Sequence, residues 1–113
     1  MDSRIRQAAK SSYSSFVIAD YVAYDDLPVA DERVIRAHAA ELIAMAEALG
    51  LANLRYASAD RIVVTVTDHV EYLGEFRFAE RASHMIGHQI RVYTDGVLTN
   101  PGVSPDLVAA TPL

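Results

Sequence analysis

His84 and His88 stand four residues apart, a spacing that puts two side chains on one face of a continuous helix and invites a zinc reading. The details go against it. The helical motif HExxH needs Glu after its first histidine, and this chain has Met85 there. Gly87 is placed to end the helix before His88, and a histidine in a last helical turn complements the helix dipole. His38 falls on an apolar helical stripe, where packing in a core or interface is the plainer role. Asp68, Glu71 and Glu75 read as a helix N-cap and first-turn acids rather than as an acid–base pair. There is no Gly-rich phosphate loop, no nucleophile elbow and no spaced ligand cluster, so no catalytic residue, metal site or cofactor is expected from motifs alone.

The elements that would position these residues lie mostly between Asn53 and Thr94. Two strand-like runs, Leu54-Arg55-Tyr56-Ala57 and Ile62-Val63-Val64-Thr65-Val66-Thr67, are separated by Ser58-Ala59-Asp60. So short a link predicts a hairpin, although it lacks the Asn-Gly signal of a tight turn. The second run is so rich in β-branched residues that a central place in the sheet is expected. Asp68 is read as opening an amphipathic helix that runs to about Ile86. Its inward stripe would be Val70, Leu73, Phe76, Ala79, Ser83 and Ile86, with Gly87 as the stop. Ile90-Arg91-Val92-Tyr93-Thr94 is the third strand-like run. Upstream, Asp31 caps a helix whose stripe is Ile35, His38, Leu42, Met45 and Leu49, ended by Gly50. Downstream, Ser104-Pro105 starts a short helix through about Ala110.

Residues 3 to 24 carry two patterns. Ile5, Ala9, Ser12, Phe16, Ala19 and Ala23 recur at spacings of four and three, which predicts a helix, with Tyr13, Val17, Tyr21 and Tyr24 as a second stripe. Phe16-Val17-Ile18 is strand-like and the serines around it are weak helix formers, so the conformation stays open. Two roles follow: a face packed on the core, or an aromatic surface that docks a partner or a second copy through Tyr13, Phe16, Tyr21 and Tyr24.

The 113 residues are expected to form one α/β (α+β) domain: residues 1–28 as a helical N-terminal extension, and residues 29–113 as an α-β-β-α-β-α core. The expected architecture is a three-stranded sheet packed against two main helices, with a short C-terminal helix. Half the residues are apolar and no run is long enough to span a membrane. Without cysteine there is no disulfide framework, and no secretory leader is evident, so the cytoplasm is the expected compartment. A net charge of −5 with scattered basic residues argues against nucleic acid and favours a basic protein partner.

From about Asp31 onward the chain resembles the minimal nucleotidyltransferases of the DNA polymerase β superfamily, small bacterial proteins often paired with a helical toxin. The resemblance is carried by Phe76 to Thr94 (a long helix, the Gly stop in Met85-Ile86-Gly87-His88, then Gln89 to Thr94), by the Ser104-Pro105 helix start and by Pro112-Leu113. It implies metal-assisted phosphoryl transfer, with strand carboxylates holding Mg²⁺ and a Gly-Ser turn and its following helix clasping the phosphates. Here that pattern is mostly missing. Ser58 matches the serine, but Ala57 replaces the glycine. Asp60 matches the first carboxylate, but Ile62 stands where the second belongs and Arg91 where the third would be. The expectation is therefore a non-catalytic protein-binding domain, an antitoxin-like or regulatory subunit with a toxin-like or other protein partner. A residual nucleotide site at Ser58 and Asp60 is the alternative. A self-associating structural domain, with a possible homodimer, is the third reading.

Overall fold

In the computed structural model, which describes residues 22–113, Asp31 Oδ1 accepts the Val34 N–H at 3.0 Å and starts the first helix as its sequence position predicts. That helix does not run on to Gly50. It divides at His38 into α1 (Glu32–Ala37) and α2 (Ala39–Ala48). The break coincides with a side-chain contact of the histidine. Its ring Nδ1–H donates to Val34 O at 2.9 Å, the carbonyl its own amide would take in a regular helix, and the amide turns instead to Ile35 O. Ile35, Leu42, Ala46 and Leu49 still face inward together, so the apolar stripe survives the break.

Gly50 ends α2 with φ +82, and a second constraint falls on it. A Cβ there would sit 2.3 Å from Val70 Cα, because the segment after the hairpin crosses directly over it. Thr67 fixes that crossing, its N–H and hydroxyl donating to Gly50 O at 3.1 and 2.6 Å.

Strands β1 (Leu51–Ser58) and β2 (Arg61–Val66) form the expected antiparallel hairpin. The turn is made by Ala59 and Asp60, with Ala59 held at φ +50 in place of the usual Asn or Gly. Helix α3 (Gly74–Ile86) then carries the chain to β3 (Arg91–Thr94), which pairs with β2 in parallel. After a 3₁₀ turn (Asp95–Thr99) and the four-residue α4 (Pro105–Val108), β4 (Thr111–Pro112) pairs antiparallel with β1. The sheet is thus four-stranded, β3-β2-β1-β4, with the β-branched β2 inside it as expected. The fourth strand is the correction to three. It is only two residues long and contains Pro112, which can sit in a sheet only at an edge where its missing N–H is not needed.

The main core lies between the sheet and helices α1 to α3. Ile62 and Val64 enter it from β2 and Leu54 and Tyr56 from β1, against Leu42, Phe78 and Ile86. Val63 and Leu107 are buried apart from it, on the opposite face, where the 3₁₀ turn and α4 lie over β1 and β2.

Helix α3 corrects the sequence reading in start and in phase. Residues 67–73 are not helical, so Asp68 is no N-cap, and the helix begins after Leu73 in the left-handed region (φ +56). Its buried residues are Gly74, Phe78, Ala82, Ser83 and Ile86. Of the expected stripe Ser83 and Ile86 are buried and Val70 packs against the core, but Phe76 is 65% exposed and Leu73 47%. Burying Phe78 in their place contributes about 2–3 kcal/mol, and one helix face cannot turn both Phe76 and Phe78 inward. Gly87 does end the helix, at φ +73 with its N–H on Ser83 O. Among the described residues no helix is long and apolar enough to cross a membrane.

Candidate functional site

The polar residues of the sheet resolve into three Asp–Arg pairs. At the hairpin end, Arg91 Nε lies 3.1 and 3.0 Å from the two carboxylate oxygens of Asp60, and its Nη2 lies 2.8 Å from Oδ1. Asp60 is 2% exposed, so this two-pronged contact is what keeps a buried charge solvated. The carboxylate in turn lifts the Arg91 guanidinium above its ordinary range.

The other two pairs sit on the sheet face away from the main core. Arg55 Nη2 and the Thr65 hydroxyl each donate to Asp95 at 2.6 Å. Burial alone would raise the Asp95 carboxyl, but the bonds from Thr65 and Arg55 and the arginine charge outweigh it and hold the group below the usual carboxylate range. Asp106, from α4, accepts from the Ser104 and Ser58 hydroxyls (Ser58 at 2.5 Å) and pairs with Arg61 Nη1 at 3.1 Å. Those two hydroxyls and the Arg61 charge hold it low as well. Arg61 stacks over the Tyr93 ring, 5.0 Å from its centre.

Ser58 and Asp60, which the resemblance would bring to one nucleotide, are directed to different partners, Asp106 and Arg91. Ile62 is fully buried in the main core. The two-residue hairpin leaves no helix between β1 and β2. His84 Nδ1 and Nε2 lie 2.9 and 2.8 Å from Glu80 O and Val22 O, and His88 Nδ1–H donates to Ile86 O at 3.1 Å. Among the described residues no three His, Asp or Glu side chains converge as a metal site would need.

A second feature lies on α3. Ala23, Tyr24 and Asp25 on one side, with Phe76, Ala79 and Glu80 on the other, enclose a groove of about 470 Å³. Tyr24 is fixed there, its hydroxyl donating to Ile90 O at 2.7 Å and its carbonyl accepting from Gln89 Nε2 at 3.2 Å. Burial, with the Asp60 charge, raises the Tyr24 hydroxyl. Of the tyrosine-rich surface expected at the N-terminus, Tyr24 is this wall, while Tyr13, Phe16 and Tyr21 lie outside the described residues. The spacing predicts Leu73 and Phe76 inward; both are exposed instead, beside Tyr72, which no sequence pattern singles out. The signal for the observed phase is a second stripe, Phe78 and Ala82, that runs to the same Ile86.

No family model, curated protein or solved structure matches the chain. The site has to be judged on its own chemistry. Asp60, Asp95 and Asp106 each accept from an arginine or a hydroxyl, which leaves a structural network and, beside it, an open apolar groove.

Proposed function

We propose that this chain is a non-catalytic protein-binding domain, an antitoxin-like or regulatory subunit of the cytoplasm, built on a degenerate minimal nucleotidyltransferase plan. The observation that carries the reading is the pairing of Asp60, Asp95 and Asp106 with Arg91, Arg55 and Arg61. Mg²⁺ requires oxygen ligands with accessible lone pairs, and a neighbouring guanidinium both occupies those oxygens and repels the cation. A general base likewise needs a carboxylate free to take a proton. The aromatic exposure at Phe76 and Tyr72 supports the binding half of the reading, since contiguous apolar surface on a small domain marks contact with another protein.

A thermal melt with and without millimolar Mg-ATP and Mg-GTP tests it. A ligand at a hundred times its dissociation constant stabilises by about 2.7 kcal/mol, a shift of several degrees for a chain of this size. No shift is expected. A Mg-dependent rise that Asp60→Asn removes would overturn the proposal in favour of a nucleotide site at Ser58 and Asp60.

A further inference from the structure

We infer that the groove between residues 23–25 and α3 takes a cationic peptide segment of a partner protein, with an apolar side chain seated beside Phe76. This rests on the protein-binding reading above and gives the partner a chemistry.

Phe76 keeps 65% of its surface in water in the first turn of a helix whose other phenylalanine, Phe78, is fully buried. Ala23 on the opposite wall and Ala79 one turn along α3 are small enough to leave room for a side chain from outside. The rim is acidic, with Asp25 and Glu80 lining it and Asp26 next in the chain. Neither Asp25 nor Glu80 makes an ion pair among the described residues.

Arg77 and Arg81 share α3 with the groove but do not line it, and Arg77 reaches toward Glu71 at 4.0 Å. Arg55, Arg61 and Arg91 face Asp95, Asp106 and Asp60, and Arg36 is tied to Glu32. No arginine lines the groove, and its carboxylates Asp25 and Glu80 are exposed. An apolar floor with an acidic rim is complementary to an amphipathic segment bearing Lys or Arg around a Leu or aromatic anchor. The same charge repels the phosphates of a nucleic acid.

The test is fluorescence anisotropy on the full chain with three labelled amphipathic peptides of equal length, built from Leu with Lys, Leu with Gln and Leu with Glu. The Leu/Lys peptide is expected to bind, with affinity falling as NaCl is raised, and the Leu/Glu peptide is not. Phe76→Ser should weaken Leu/Lys binding about tenfold, as loss of an anchor does. Glu80→Arg should weaken it several-fold and flatten its salt dependence. Both side chains are exposed, and a melt checks that the variants stay folded.

Binding that Phe76→Ser leaves unchanged would place the peptide elsewhere on the acidic surface and overturn the inference. Equal binding of the Leu/Gln peptide, or none by any peptide, would do so too. A Phe76-dependent dimer mass in light scattering would assign the groove to a second copy and reject the cationic partner. None of these outcomes touches the non-catalytic reading, which falls only to the Mg-nucleotide melt.

Discussion

Asp60 and Arg91 meet in a bidentate ion pair, 2.8 Å at its shortest, in which the carboxylate is almost fully buried and the guanidinium is half exposed. The two residues come from the hairpin turn and the start of β3, so the pair ties the turn to the parallel strand beside it.

Arg91→Ala should cost about 2 kcal/mol, because the buried Asp60 loses its charged donor while water reaches only part of the vacated space. Asp60→Asn should cost less, since an amide keeps an acceptor for Arg91, and the double variant should recover part of the loss. Urea unfolding at neutral pH measures all three. Arg91→Asp places a second carboxylate beside Asp60 and should lower stability further.

Acid should unfold the protein in a way that depends on Thr65. Asp95 and Asp106 both have folded values below the ordinary carboxylate range. Their contribution is therefore complete above the unfolded value, near pH 4, and is lost as pH falls through the lower folded values. Thr65→Ala removes one donor from Asp95 and brings its folded value back toward the ordinary one. The gap in melting temperature between wild type and Thr65→Ala should be constant from pH 7 to about 5 and narrow at lower pH.

Phe76 and Phe78 should respond oppositely to truncation. Phe78→Ala opens a cavity in the main core and should cost about 3–5 kcal/mol. Phe76→Ser should change stability by less than about 0.5 kcal/mol, as exposed substitutions do, and make the protein more soluble. A larger loss at Phe76 than at Phe78 would mean that α3 turns Phe76 inward, as the spacing predicts.

Ala59→Gly should stabilise the hairpin by roughly 0.5–1 kcal/mol. Ala59 holds φ +50, where its Cβ is crowded, and glycine adopts that conformation freely. The gain is reduced because glycine also gives the unfolded chain more freedom. Differential scanning calorimetry resolves a shift of that size.

Much of the fold was legible because its signals are local. The Asp31 cap, the Gly50 and Gly87 stops, the short β1–β2 link and the β-branched β2 each follow from interactions within a few residues. The missing strand was not, since Thr111-Pro112 has no strand signal of its own and pairs only because β1 offers an edge, with Leu113 N–H reaching Leu54 O at 3.1 Å. The phase of α3 was misread for a related reason. Residues 67–73 continue the helical spacing, but Thr67 and Glu71 bond to Gly50 and Leu49 and hold them out of the helix.

The sequence by itself determined the α+β order of elements, the acidity and the absence of a recognisable catalytic motif, because these depend on composition and short-range pattern. Only the tertiary structure decided what the charges do. Asp60 and Arg91 lie 31 residues apart and Arg55 and Asp95 lie 40 apart, so no local rule pairs them. Strand register brings them together, as the return of α4 over the sheet brings Asp106 to Arg61, and the same packing turned Phe78 inward and left Phe76 to the solvent.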